Sequence, residues 1–332
     1  MTFESALVLG GTRFIGRYAV EELLAHDYAV TLLTRGEHPN PFADDDRADH
    51  VEGDRTEATT LRAAALSVDP DVVVDTSAYH PAAVRAATDA FADAGAYVYV
   101  SSGDAYAAEE VPKREGETPL RPCTEEQATD DGHETYGNRK AAGDRAVFEA
   151  AADGVRAMSV RPTVVYGPHD YTGRLAYWVD RVAAHDRVVV PGDGQNLWHR
   201  AYVADVARAL RVVAEAGAGG EAYNVGDRRL RTLADLVRDV ADVLDADVEV
   251  VPASARELSV AGLSPEEFPL YREYPHVLDT TRLSALGWTS TPNDDALAET
   301  VRTHRDGDES AAADVGPDRD IEERVLGVLD TL

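Results

Sequence analysis

Through the first half of this chain, apolar residues come in short runs, unbroken or interrupted once (by Thr31 or Ser159), separated by stretches with helical spacing. The runs lie at residues 6–9 (Ala-Leu-Val-Leu), 28–33, 72–74 (Val-Val-Val), 97–100 and 157–160. A run that is apolar at every position suits a strand covered on both faces, as in a parallel sheet. Between the runs, residues 15–25, 61–66, 82–94 and 136–151 read as helices, the last of them rich in alanine. This alternation predicts an α/β fold built on a doubly wound parallel sheet with helices on both faces.

After about Pro162 the rhythm loosens, and irregular stretches near Gly167-Pro168 and Pro191-Gly192-Asp193-Gly194 break it. Residues 204–216 and 233–244 read as helices, and 221–225 and 248–251 as strands. The pattern predicts a first domain over residues 1–165, to which 197–225 return. It predicts a smaller α/β substrate-binding lobe over 166–196 and 226–332. Residues 303–320 are polar and acidic and read as a linker, followed by a short helix with Val325, Leu326, Val328, Leu329 and Leu332 as its apolar residues. No internal repeat is visible.

Composition narrows the function classes. The net charge is −29, with acidic residues throughout, as in Asp44-Asp45-Asp46 and Asp130-Asp131. Such a surface suits a high-salt cytoplasm and opposes nucleic-acid binding, which needs basic stripes. The single cysteine, Cys123, excludes an intramolecular disulfide framework and fits a reducing compartment. The first residues lack the charged and apolar regions of a signal peptide, and no apolar stretch is long enough for a membrane span. No His/Cys/Asp/Glu cluster has metal-ligand spacing, so no metal is expected.

The turn after the first strand reads Gly10-Gly11-Thr12-Arg13-Phe14-Ile15-Gly16 and leads into the first helix. Glycines there let the backbone approach a pyrophosphate, and the helix N-terminus offers free N–H groups with partial positive charge. A G-x-x-G-x-x-G pattern would place its middle glycine at position 13, where this chain has Arg13. The second strand ends on Leu33-Thr34-Arg35. An acidic residue there would hold a ribose 2′-hydroxyl, whereas arginine suits a 2′-phosphate, so Arg13 and Arg35 lean the reading to NADP(H) over NAD(H). Asp54, after the third strand, is placed to accept from the adenine amino group, and Ser77, after the fourth, to line the cofactor.

Chemistry is concentrated at Tyr136 and Lys140. The chain has only two lysines, Lys113 and Lys140, and one of them stands one helical turn after a tyrosine. Spacing of four puts both side chains on one helix face, where an ammonium favours the phenolate and makes a proton-transfer group. Ser101-Ser102-Gly103-Asp104-Ala105-Tyr106 follows the strand at 97–100 and opens on the same crevice.

With the glycine turn, the serines and the Tyr136/Lys140 helix in this order, the chain resembles the extended short-chain dehydrogenase/reductase superfamily. Within it the likeness is to the NAD(P)-dependent sugar epimerase/dehydratase group, in an atypical branch that includes the chloroplast stem-loop RNA-binding proteins. Arg161-Pro162-Thr163-Val164-Val165-Tyr166-Gly167-Pro168, Val203-Ala204-Asp205-Val206-Ala207 and Tyr223-Asn224-Val225-Gly226 are similar to further family segments. The resemblance implies a Rossmann domain. It implies Tyr136 as general acid/base, Lys140 lowering its pKa and holding the nicotinamide ribose, and Ser102 rather than Ser101 bonding the reacting oxygen. It implies hydride transfer on a nucleotide-linked sugar, and a homodimer paired through the helices at 82–94 and 136–151. Family dehydratases carry an Asp-Glu pair where this chain has Gly103-Asp104, so one carboxylate survives without its partner. Asp104 and Arg200 are the candidate substrate residues, Arg200 for a nucleotide diphosphate, with His169 and His199 nearby in sequence. The competing readings are an NADPH-dependent carbonyl reductase and a non-catalytic nucleotide-sensing or RNA-binding protein.

Overall fold

The computed structural model describes residues 3–307 and 315–331. The chain begins β1 (Ser5–Leu9), α1 (Phe14–Ala25), β2 (Ala29–Thr34), β3 (Ala48–Glu52), α2 (Ala58–Val68), β4 (Val72–Asp75), α3 (Pro81–Ala90) and β5 (Ala96–Val100). A 3-10 turn (Gly103–Ala105) and α4 (Glu125–Thr129) precede the long helix α5 (Tyr136–Ala152), then β6 (Ala157–Pro162) and β7 (Val164–Tyr166). The order continues α6 (Arg174–Ala184), β8 (Arg187–Pro191), β9 (Arg200–Tyr202), α7 (Val203–Ala216), β10 (Ala222–Val225), α8 (Leu233–Leu244) and β11 (Glu249–Ala253). It closes with α9 (Ala255–Val260), α10 (Thr281–Ala285), α11 (Asn293–Asp306) and α12 (Arg319–Leu329).

Two compact units result. The first comprises Met1–Val165, Val203–Gly226 and Leu278–Ser290. The second comprises Tyr166–Tyr202, Asp227–Val277 and Thr291–Leu332.

Unit 1 is a seven-stranded sheet in the order β10-β6-β5-β4-β1-β2-β3, parallel at every pairing. The expected doubly wound Rossmann arrangement is therefore what forms. Its central strands β1, β4 and β5 are buried along nearly their whole length, which is why their sequences are apolar without alternation. Helices α2, α3 and α5 bring Leu61, Val84 and Val147 against Leu7, Val73, Tyr97 and Tyr99 in one core cluster, while α1 packs along α7. β3 pairs only with β2, and its residues Asp49, His50 and Glu52 are exposed. An edge strand with three of its five residues exposed leaves no apolar run to read.

Unit 2 holds the parallel pair β8–β11, with Val188 to Val190 fully buried. In α6, Leu175, Trp178, Val179 and Val182 are buried at helical spacing. Trp178 donates to Pro269 O at 2.9 Å and meets Tyr177 edge-on at 5.0 Å between centroids. The predicted linker at 303–320 is helical up to Asp306 and again from Arg319, and its residues 308–314 lie outside the described residues, as does Leu332. Among the described residues no helix is long and apolar enough to cross a membrane.

Candidate active site

The glycine turn is shaped by close approach. Gly10 has φ +110°, and a Cβ on it would stand 2.4 Å from Thr76 Oγ1. A Cβ on Gly16 would stand 2.6 Å from the Gly11 nitrogen, so the turn folds directly onto the first turn of α1. Thr76 N and Oγ1 and Ser77 Oγ all donate to Leu9 O, at 3.2, 2.9 and 3.1 Å, locking the loop after β4 to the end of β1. The cradle that a Cβ would fill fits a phosphate-bearing cofactor. Helix α1 supplies no acidic residue in its first turn, so nothing in that turn offsets the positive end of its dipole.

The arginine in place of the middle glycine has a structural reason. Arg13 is extended (φ −133°, ψ 148°), a conformation any residue adopts, and the left-handed value falls instead on Phe14 (φ 34°), whose ring is buried. Arg13 Nη1 lies 3.3 Å from His38 Nε2. Arg35, exposed, pairs with Glu37 at 2.8 Å. Asp54 Oδ1 accepts from Thr56 N (2.8 Å) and Thr56 Oγ1 (2.7 Å), bonds that hold its carboxyl below the usual range.

Tyr136 opens α5, and Lys140 follows one turn later, with its ammonium 5.8 Å from the centroid of the Tyr136 ring. Lys140 is buried and donates to Ala78 O at 2.9 Å, in the loop after β4, and to Val100 O at 2.8 Å, at the end of β5. The rings of Tyr99 (4.8 Å) and Tyr79 (5.1 Å) complete its surroundings. Burial pushes the ammonium down to about 8, against the upward pull of Asp75 and then Asp144. The His133 ring stacks on that of Tyr136 at 6.3 Å.

The serine loop touches the same helix. Ser102 Oγ accepts the Asp104 N–H at 3.1 Å, capping the 3-10 turn. A Cβ on Gly137 would stand 2.4 Å from Asp104 O, so the residue after Tyr136 must be small for the loop to seat on α5. Ser101 is 2% exposed and its hydroxyl has no hydrogen-bond partner. Ser102, Asp104, Tyr136, Lys140, Ser77 and the glycine turn therefore all belong to unit 1, around the C-terminal ends of its strands. Arg200 belongs to unit 2, where it is buried and donates to Arg231 O at 2.9 Å. His199, also in unit 2, lies 2.7 Å from Asp227 O through Nε2 and is pushed by burial to about 4. His169 is exposed.

Sequence reasoning missed the buried polar frame. Arg161 Nε donates to Asp144 at 2.8 Å and its Nη1 to Tyr106 Oη at 2.9 Å, and Tyr106 donates onward to Asn224 Oδ1 at 2.8 Å. Arg161 and Asn224 stand in segments already singled out by resemblance. Asp144, one helical turn beyond Lys140, was the available signal for a third member. Among the described residues no group of three or more His, Cys, Asp or Glu could hold a metal ion.

The chain is 27% identical over 247 residues to the chloroplast stem-loop binding protein of 41 kDa b of Arabidopsis thaliana, covering 71% of this chain and 62% of that protein. It thus spans less than two thirds of that relative's length. Among solved structures, the UDP-glucose 4-epimerase of Thermotoga maritima, determined with UDP-glucose, is similar at a TM-score of 0.72 and 21% identity, covering 91% of this chain and 98% of that one. A dTDP-glucose 4,6-dehydratase of Bacillus anthracis, determined with NAD, is similar at a TM-score of 0.73 and 20% identity, covering 92% and 98%. At these identities the likeness speaks for the fold. The sequence profile of the NAD dependent epimerase/dehydratase family matches residues 6–226, more than half of the chain, and the chain belongs to that family.

Proposed function

We propose that this chain is an NAD(P)-dependent oxidoreductase of the epimerase/dehydratase type that acts on a nucleotide-linked sugar. The observation that carries the reading is the Lys140 ammonium, buried, pinned by two carbonyls and beside the Tyr136 ring. With two of its three N–H groups given to Ala78 and Val100, one remains for a ribose hydroxyl or the phenol. A positive charge kept there favours the Tyr136 phenolate, so Tyr136 takes the proton of a substrate hydroxyl and returns it later. Ser102 orients the oxygen that loses the proton. Residues 10–16 hold the dinucleotide pyrophosphate, and Asp54 and Ser77 flank the rest of the cofactor. A bound nicotinamide supplies the hydride acceptor for the carbon bearing that hydroxyl.

Asp104, without a neighbouring glutamate, supports epimerisation or simple oxidoreduction more than dehydration. Arg200 is the proposed contact for the nucleotide diphosphate. Solved neighbours carry NAD, and the arginines at 13 and 35 are the ground for proposing NADP(H) as well. The net charge of −29 supports activity at molar salt and opposes an RNA ligand. Helices α3 and α5 pack side by side, and we infer a homodimer built on them, to be measured by sedimentation.

Incubation with a panel of sugar nucleotides, followed by absorbance of the reduced nicotinamide and by product analysis, tests the reading. Tyr136→Phe is expected to lower turnover by about 10²–10⁴-fold while leaving cofactor affinity unchanged. Wild-type turnover in that variant would reject Tyr136 as the acid/base.

A further inference from the structure

The Lys140 ammonium ends against the loop after β4, and one carboxylate ties that loop down. Asp75, the last residue of β4, is fully buried. Its Oδ1 accepts the N–H groups of Ser77 at 3.2 Å and Ala78 at 3.1 Å. Its Oδ2 accepts from Arg55 Nη2 at 2.7 Å and from the Tyr97 hydroxyl at 2.7 Å. Arg55 is buried as well and donates to Ala83 O in α3 at 3.1 Å. The residue whose N–H Asp75 holds, Ala78, is the residue whose carbonyl holds Lys140. Four donors thus converge on one buried carboxylate, two of them at 2.7 Å, and fix it in place.

We propose that Asp75 is the positioning residue for Lys140: it knots the turn that presents the Ala78 carbonyl, and Arg55 and Tyr97 hold Asp75 in that role. The turnover consequence rests on Lys140 being the helper of Tyr136, whereas the knot itself does not. Charged groups act on the ammonium from several elements. Asp75 on β4 and Asp144 on α5 favour its charge, while Arg55 after β3 and Arg139 on α5 oppose it. The rings of Tyr79, Tyr99 and Tyr136 stand around it. The two members of the Arg55–Asp75 pair therefore pull on Lys140 in opposite senses, which gives the proposal a signature that simple loosening lacks.

The chain has only two lysines, so protein labelled with [15N]lysine gives two side-chain ammonium signals, and the one lost in Lys140→Met is Lys140. Asp75→Asn keeps an acceptor for the turn and removes the charge, and its Lys140 signal is expected to titrate about one pH unit below wild type. Arg55→Leu is expected to titrate above wild type. Asp75→Asn leaves Arg55 buried without a counter-charge, so the double variant Arg55→Leu/Asp75→Asn, with no lone charge inside, is measured alongside. It is expected to titrate below wild type, because the pull of Asp75 on the ammonium outweighs the opposing push of Arg55. A wild-type midpoint in both Asp75 variants, or a shift of the same sign in Arg55→Leu and Asp75→Asn, would overturn the proposal. In turnover, Asp75→Asn is expected to move the alkaline limb of kcat/KM to lower pH; a lowered plateau with an unmoved limb would mark mere damage and count against it. Should Tyr136→Phe stay active while the titrations shift as expected, the reaction assigned to the site fails and the knot stands. Should Tyr136→Phe be inactive and the titrations not move, the knot alone fails.

Discussion

Two buried arginine–aspartate–tyrosine groups reach Lys140 through their aspartates, Asp75 and Asp144, and they are wired in opposite ways. In Arg55–Asp75–Tyr97 the carboxylate is the hub, taking four hydrogen bonds from four residues. In Arg161–Asp144–Tyr106 the arginine is the hub: it serves both Asp144 and Tyr106, while Asp144 Oδ1 has no hydrogen-bond partner. Burial works against the charge of both arginines, and in both the neighbouring aspartate and tyrosine outweigh it and raise the pKa. The difference teaches that an ion pair's tolerance depends on what else its anion can accept. Asp75 without its arginine keeps three donors, and Asp144 without its arginine keeps none.

The largest expected effect follows from that contrast. Arg161→Met strands a buried carboxylate and is expected to lower stability by about 3–5 kcal/mol in urea unfolding at neutral pH. Arg55→Leu is expected to lower it by about 1–3 kcal/mol, because the remaining donors still serve Asp75. Equal losses would erase the distinction between the two groups.

The ammonium they act on provides the next test. Lys140 sits at about 8 in the fold, below its ordinary value of 10.5. Between these values the unfolded chain binds more protons than the folded one, so this residue's contribution to stability rises with pH across that window. The stability of wild type minus that of Lys140→Met is therefore expected to become more favourable from pH 8 to pH 10.5, by at most about 3 kcal/mol. A flat difference would mean that the buried ammonium is not desolvated.

The tyrosines sharpen the comparison further. Tyr106→Phe leaves Asn224 Oδ1 and an Arg161 N–H without their partner and is expected to lower stability by about 2 kcal/mol. Tyr97→Phe removes one of four donors from Asp75 and is expected to lower it by about 1 kcal/mol. A reversed order in thermal unfolding would contradict the hub assignment. The smallest effect is at the surface: Arg35→Asp, at a side chain already paired with Glu37, is expected to shift preference from NADP(H) to NAD(H) by about tenfold or less. Competitive binding of the two cofactors measures it.

The central sheet was legible because strands buried on both faces show themselves in one-dimensional sequence as Ala6-Leu7-Val8-Leu9 and Val72-Val73-Val74 do. Strand β8 was not, because three valines between Arg187 and Pro191 are too short a run to tell strand from buried helix. Proximity of Tyr136 and Lys140 was legible because helix geometry acts over four residues. The partners Arg55 and Asp75 are 20 residues apart, and Tyr106 and Asn224 are 118 apart. Only the register that sets Asp75 beside Tyr99, and β10 beside β6, brings such groups together. An aspartate at the end of β4 reads in sequence as an ordinary turn residue until the fold supplies its donors.

That 118-residue gap carries a consequence for biosynthesis. A ribosome that has finished β6 has already delivered Arg161, Asp144 and Tyr106, yet the acceptor for the Tyr106 hydroxyl emerges only with β10, after the whole first excursion of the chain into unit 2. Until then the nascent sheet ends on β6 with an open edge and an incompletely satisfied phenol beneath it. Completion of the buried polar frame of unit 1 thus waits on translation of Asn224, well after the rest of that frame has been made.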